Sequence, residues 1–121
     1  MIGIGVDAVD IERFRQSLRR TPTMRERLFT ADELLYVAPQ TDPVPSLAVR
    51  FAAREAVMKA LGVGLGAFGF HEASVTRASS GAPSLIITGR AHELAVAAGV
   101  TRWHLSMTHS DAIAIAYVIA E

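Results

Sequence analysis

RFAAREAVMKALGVGLG, from Arg50 to Gly66, is the stretch on which the fold turns. Val49, Ala52, Ala53, Ala56, Ala60 and Leu61 recur at three-to-four spacing, which predicts one long helix with a single face in the core. Ser46 is placed to cap its start and Gly62 to end it. Glu55 and Lys59 stand four apart with the acid first, so they share one stripe; Arg50 and Arg54 form a neighbouring stripe of like charge. Lys59 is the only lysine in a chain with twelve Lys and Arg together. A compact ammonium suits a phosphate oxygen where a planar guanidinium fork is not needed. The plainer alternative is a solvated Glu–Lys pair worth roughly a few tenths of a kcal/mol. Gly62, Gly64, Gly66 and Gly69 then let the backbone approach a ligand, or simply make a flexible exit from the helix. Neither G-x-x-x-x-G-K-[ST] nor a G-x-G-x-x-G between strand and helix occurs, so a P-loop and a Rossmann fingerprint are both excluded.

The 121 residues predict one domain, 1–121, in a size range where a partner subunit often completes burial. Half the residues are apolar and the formal net charge is zero, which argues against non-specific nucleic-acid binding. With no cysteine there is no disulfide framework, thiol nucleophile or Cys zinc site. The N-terminus lacks a basic region, Asp7 interrupts its apolar run, and the apolar segment Ala112–Ala120 is far short of the roughly 20 residues a membrane helix needs. We expect a cytoplasmic protein, free-standing because Met1 directly precedes the first strand and the chain ends naturally at Glu121.

Met1 to Val6 alternates Ile2, Ile4 and Val6 with Gly3 and Gly5, predicting a half-buried strand whose bare glycine face lets something pack close. Asp7 belongs to that face and stands at the strand's end, as a turn-capping residue or a ligand-facing carboxylate. Asp10 is placed to cap a helix carrying Ile11, Phe14 and Leu18 inward. Between Arg13 and Arg27 six arginines stand against Glu26 and the adjacent Glu12, a basic patch that suits an acidic partner. Thr30 and Glu33 form a capping box for a short helix. Pro39, Pro43 and Pro45 mark a loop. Ala73–Arg77 and Ser84–Thr88 read as strands; Thr88 then caps a helix ended by Gly99. Trp103–Thr108 and Ala112–Ala120 read as the last two strands, with His109, Ser110 and Asp111 in the turn between them.

Adjacent Ser, His and Asp in one turn do not converge as a catalytic triad, and there is no G-x-S-x-G elbow, so acyl hydrolysis is set aside. His109 is the histidine placed for function; His71, His92 and His104 read as structural or surface. Without H-E-x-x-H there is no zinc site. Asp7 and Glu55 are the better metal candidates, and two carboxylates suit Mg²⁺, which prefers oxygen ligands and keeps waters or substrate phosphates. These residues together point to phosphate chemistry.

GIGVDAVDIERF, RFAAREAVMKALGVG and HLSMTHSDAIAIAYVIAE, with Gly81-Ala82-Pro83 between the middle strands, resemble the serial signatures of the holo-[acyl-carrier-protein] synthases, small bacterial phosphopantetheinyl transferases. The resemblance implies an α+β fold with a small antiparallel sheet packed on a long central helix, and a homotrimer with active sites at subunit interfaces. It also implies a magnesium-dependent transfer of 4′-phosphopantetheine from coenzyme A to a serine of an apo acyl carrier protein, serving fatty acid and lipid biosynthesis. Matched position by position, Asp7 and Glu55 correspond to metal ligands, and Lys59 to the lysine beside the phosphates. Arg50 and His109 match residues that hold nucleotide phosphates, near Gly62 and Gly64. Arg13, with Arg20 on the same basic patch, would meet the acidic carrier helix. The serine would attack the pantetheine-side phosphorus, with Glu55 or a metal-bound water taking its proton. Arg54 replaces the family's usual lysine, and Ser17 stands where some relatives present a bulkier apolar residue. The alternative reading from another class is a non-catalytic module that binds coenzyme A or a related nucleotide and regulates a partner.

Overall fold

The computed structural model describes residues 1–121. In chain order they form β1 (Gly3–Asp10), α1 (Ile11–Arg20), α2 (Met24–Leu28), α3 (Ala31–Val37), α4 (Val44–Leu61), β2 (Ala73–Arg77), β3 (Pro83–Ile87), α5 (Gly89–Ala98), β4 (Trp103–His109) and β5 (Ile113–Ala120). Strands β1, β5 and β4 make one antiparallel sheet in that order, and β2 with β3 a separate hairpin. The expected α+β class is what is observed, with α4 in contact with β1, β5, β4, β2, α1 and α5.

Local chemistry explains most boundaries. Asp10 accepts a hydrogen bond from the Arg13 amide at 2.9 Å and starts α1. Thr30 and Glu33 form the expected capping box of α3. Gly62 ends α4 in the left-handed region at φ 69°, where a side chain would be strained. The start of α4 departs from expectation: it begins at Val44, with Pro43 as the flanking residue and Pro45 in its first turn. Ser46 lies inside the helix, and the proline segment is partly helical because a first turn needs no amide from proline. Helix α2, within the arginine-rich segment, has no apolar period long enough to reveal it.

Strand β1 has the close approach on its bare glycine face that the alternation predicted. Its glycine face, not its apolar face, meets the core: a methyl group built on Gly3 or Gly5 would run into the backbone carbonyl of Ala60 or Ala56 on α4. Ile2, Ile4 and Val6 lie nearly half exposed on the other face. Ala114, Ala116, Val118 and Ala120 of β5 are buried toward the core. Small residues on both surfaces bring helix and sheet backbones close, and dispersion and area burial follow from that approach.

Helix α4 is enclosed on most sides. Twelve of its 18 residues are buried, among them Arg50 and Arg54, so the stripe of like charge that the two arginines form lies inside the fold. The Arg54 guanidinium donates to both carboxylate oxygens of Glu33 through Nη1 and Nη2, and its Nε donates to the Phe70 carbonyl at 2.8 Å. Glu33 also accepts from the amides of Thr30 at 2.9 Å and Val75 at 3.0 Å. Burial by itself would raise the Glu33 pKa, but the hydrogen bonds and charge of Arg54 outweigh it and hold the carboxylate below its ordinary range. This one pair ties α3, α4, the turn before β2, and β2. Replacing Glu33 by Ala leaves a buried guanidinium uncompensated and is expected to cost about 3–5 kcal/mol of stability in urea unfolding. Because the folded-state pKa is depressed, the parent's stability from this pair is present above the ordinary carboxylate range. It is lost as pH falls through the Glu33 pKa, and that acid loss should be absent in Glu33→Ala.

Candidate active site

Strand β1 and helix α4 bring the central residues together. Asp7 lies within β1, three residues before its end, paired with Ala116 of β5 and on the same side as Gly3 and Gly5. That side faces α4, where Glu55 and Lys59 emerge one turn apart. Lys59 does not pair with Glu55 along the helix, as its spacing suggested. Its ammonium donates instead to Asp7 Oδ1 and to the Val6 carbonyl, each at 3.1 Å. The cross-element bonds win because β1 lies close enough for the lysine to reach two oxygens at once.

Asp7 and Glu55 line one cleft of about 370 Å³, together with Asp10, Arg13, Phe14, Ser17 and Phe51. Burial pushes the Glu55 carboxyl pKa up, and the charge of Asp7 pushes it further, while Lys59 opposes the rise. No hydrogen bond to Glu55 offsets this, in contrast to the fully bonded Glu33. No three His, Cys, Asp or Glu side chains gather anywhere as a closed metal site. Two carboxylates at an open cleft offer oxygen donors of the kind a hard cation such as magnesium takes, with its remaining positions kept for water or phosphate.

Arg13 lines this cleft, and Ser17 and Arg20 continue the same stripe of α1 at four- and seven-residue spacing, with Ser17 Oγ bonded to the Arg13 carbonyl at 3.2 Å. Arg15 is withdrawn from the basic patch by a two-pronged pair with Asp42, 2.8 Å on each side. Arg13 and Arg20 carry no such partner carboxylate.

Arg50 lies elsewhere. It lines a second cleft of about 330 Å³ with Tyr36, His71, Arg77 and the hydroxyl residues Thr30, Ser74, Thr76 and Thr88, and the two clefts share no residue. Only 1% of Arg50 is exposed; Nη1 donates to the Ser46 carbonyl at 3.0 Å, and Nε has no partner. The guanidinium sits 4.8 Å from the centre of the Tyr36 ring. Burial lowers its pKa, with Glu33's charge opposing, although an arginine so placed stays charged.

Other expected residues stand apart. Gly62 and Gly64 line neither cleft, and nothing approaches within 4 Å of where their side chains would be. His109 ends β4 rather than sitting in a turn, is exposed opposite Ala114, and lines neither cleft. Arg54, at the position where a lysine was the norm, faces Glu33 inside the core and not the Asp7 cleft. Tyr36, His71 and Arg77 were not singled out by sequence, since they come from three elements whose convergence no local spacing records.

Glu55, in the cleft with Asp7, is held at a cost to the fold. Its raised pKa means the folded state favours the protonated carboxyl, so its contribution to stability is lost as pH rises above the ordinary carboxylate range. Glu55→Gln should therefore melt at a higher temperature than the parent at pH 7 without divalent cations, the gain shrinking as pH falls through the Glu55 pKa in differential scanning calorimetry.

The model of the 4′-phosphopantetheinyl transferase superfamily matches residues 3–118. A holo-[acyl-carrier-protein] synthase of Micrococcus luteus is 45% identical over 123 residues, covering all of this chain and 92% of that protein. The crystal structure of holo-[acyl-carrier-protein] synthase from Neisseria meningitidis superposes with a TM-score of 0.91 at 32% identity, covering 100% of this chain and 98% of that one. A holo-(acyl-carrier-protein) synthase from Bacillus anthracis in complex with CoA (3′,5′-ADP) superposes with a TM-score of 0.82 at 30% identity, covering 98% and 95%.

Proposed function

The chain belongs to the 4′-phosphopantetheinyl transferase superfamily, and on that footing we propose that it is a holo-[acyl-carrier-protein] synthase. It moves 4′-phosphopantetheine from coenzyme A to a serine of an apo acyl carrier protein and releases adenosine 3′,5′-bisphosphate. The observation that carries this reading is the convergence of Asp7 and Glu55 at a cleft whose rim continues into the arginine stripe of α1, with Lys59 bonded to Asp7.

In the reaction, the serine oxygen forms a bond to the pantetheine-side phosphorus as the bond from that phosphorus to the bridging oxygen breaks. The electron pair leaves with the nucleotide phosphate. Glu55, whose burial raises its proton affinity, is the chain's own acceptor for the serine proton. Lys59 is held beside Asp7 and opposes the negative charge that builds on the departing phosphate. Asp7 and Glu55 would hold a magnesium ion, which when bound neutralises diphosphate charge. Arg13 and Arg20 present cations to the acidic helix of the carrier, where complementary charge speeds encounter and sets register.

Arg50 belongs to the same reading as a coenzyme-phosphate residue, yet its cleft is separate from that of Asp7 and Glu55. A second copy of the chain resolves the separation by setting one protomer's Arg50 cleft against its neighbour's carboxylates, with His109 and the Gly62–Gly64 loop completing the coenzyme site. The outer sheet face supports this assembly. Ile4 pairs with Ile119 and Val6 with Tyr117, and Ile4, Val6, Ile113 and Tyr117 are each more than 40% exposed. This apolar patch on β1 and β5, bordered by His104, Ser106 and Thr108 of β4, is costly in water and suits burial in a homotrimer. No helix is long and apolar enough to cross a membrane. A cytoplasmic enzyme of fatty acid and lipid biosynthesis, acting as one domain, is the consistent setting.

Incubation with coenzyme A, magnesium and apo acyl carrier protein should add the mass of one phosphopantetheine to the carrier, read by mass spectrometry. Asp7→Ala should reduce the rate at least about a hundredfold, and equal turnover in that variant would remove the site assignment. Tyr117→Glu should convert the trimer to monomer in light scattering and lose transfer with it; a trimer that survives the charge would place the interface elsewhere.

A further inference from the structure

Arg50 is an arginine without a counter-ion in the folded chain. The carboxylate whose charge reaches it is Glu33, and both oxygens of Glu33 are taken by Arg54, while Asp32 lines the same cleft without bonding to Arg50. Arg50 itself has one hydrogen bond, to the Ser46 carbonyl of its own helix, and leaves Nε unpaired although 99% of the residue is buried. A buried cation left in this state needs something to hold its plane. The aromatic ring of Tyr36 lies 4.8 Å from the guanidinium carbon and is half exposed, so it covers Arg50 from the solvent side.

The arrangement follows from two helices pairing by rows. On α3, Glu33 and Tyr36 are three residues apart and share a face; on α4, Arg50 and Arg54 are four apart and share a face. The rows meet as Glu33 with Arg54 and Tyr36 with Arg50. The first contact is a buried, fully bonded ion pair that sets where α3 lies on α4. The second inherits that placement and fixes the orientation of a guanidinium at the wall of a cleft that also holds Arg77. Stacking on an aromatic face leaves the guanidinium edges free for an anion, and a fork fixed in advance loses less entropy when the anion binds.

We infer that Tyr36 is a positioning residue for coenzyme binding: its ring holds the Arg50 guanidinium in the orientation that receives a phosphate of coenzyme A. This rests on the proposed role of the second cleft as a coenzyme-phosphate site. The hydroxyl of Tyr36 is not required by the geometry, which uses only the ring face.

Calorimetric titration of coenzyme A into the full-length protein and its variants tests this. Tyr36→Leu, which keeps bulk but removes the π face, should weaken binding by roughly 3- to 10-fold, the range of a partly exposed cation–π contact. Tyr36→Phe should bind within about twofold of the parent, a rescue that a hydroxyl-dependent role does not predict, while the loss in Tyr36→Leu separates the ring face from simple apolar filling. Arg50→Gln should weaken binding at least as much as Tyr36→Leu, and Tyr36→Leu combined with Arg50→Gln should bind no more weakly than Arg50→Gln alone, because Tyr36 acts only through Arg50. Thermal melting of each variant confirms that it is folded. If Arg50→Gln binds coenzyme A like the parent, the phosphate-site reading falls and takes the Tyr36 role with it. If Arg50→Gln weakens binding but Tyr36→Leu does not, or if the two losses add in full, the Tyr36 role alone is overturned.

Discussion

The approach of helix α4 to the glycine face of β1 is the constraint on which the molecule depends. With no side chains at Gly3 and Gly5, the carbonyls of Ala56 and Ala60 lie where Cβ atoms would otherwise stand. Only at that separation does the Lys59 side chain reach both the Val6 carbonyl and Asp7. Site assembly and core packing are therefore one event: the contact that buries the alanines of α4 also aligns a strand carboxylate with a helix carboxylate.

Two charged centres on α4 are built on opposite principles. Glu33 and Arg54 are enclosed, and each finds multiple hydrogen-bond partners, so the pair specifies the placement of α3, β2 and the turn before β2. Glu55 is only partly enclosed, faces the charge of Asp7, and has no such partners. The first centre is satisfied by the fold; the second is left for something outside the chain to satisfy. Arg50 belongs with the second kind, since no carboxylate bonds to it and its Nε is unpaired at the wall of the second cleft.

The three-stranded sheet divides the same way. Its inner face is made of small residues and is closed by α4, while its outer face presents Ile4, Val6, Ile113 and Tyr117 to solvent. The apolar outer positions of β1 and β5 have no helix in this chain to cover them, while β4 beside them presents His104, Ser106 and Thr108, and that apolar surplus is consistent with a molecule that completes itself by association.

Much of this was legible along the chain. The caps Asp10 and Thr30, the stops Gly62 and Gly99, strand β2, and the candidate metal pair Asp7 and Glu55 were all readable, because each depends on residue types within a few positions of one another or on motifs that run in series. Alternation also revealed a two-faced first strand, but not which face goes inward: hydrophobicity favours the isoleucines, and the closer packing permitted by glycine decided otherwise. Helical spacing put Arg50 and Arg54 on one stripe but could not show that the stripe is buried, because isolated periodicity cannot see a carboxylate 21 residues away waiting as partner. The Glu55–Lys59 spacing, one reading of which was a solvated pair, could not show for the same reason that Lys59 meets Asp7. What the amino-acid order determined was every feature set by neighbours along the backbone; which charges are buried, which are paired and which remain open was decided only by the packing of elements distant in sequence, since Coulomb and hydrogen-bond energies depend on distance through space.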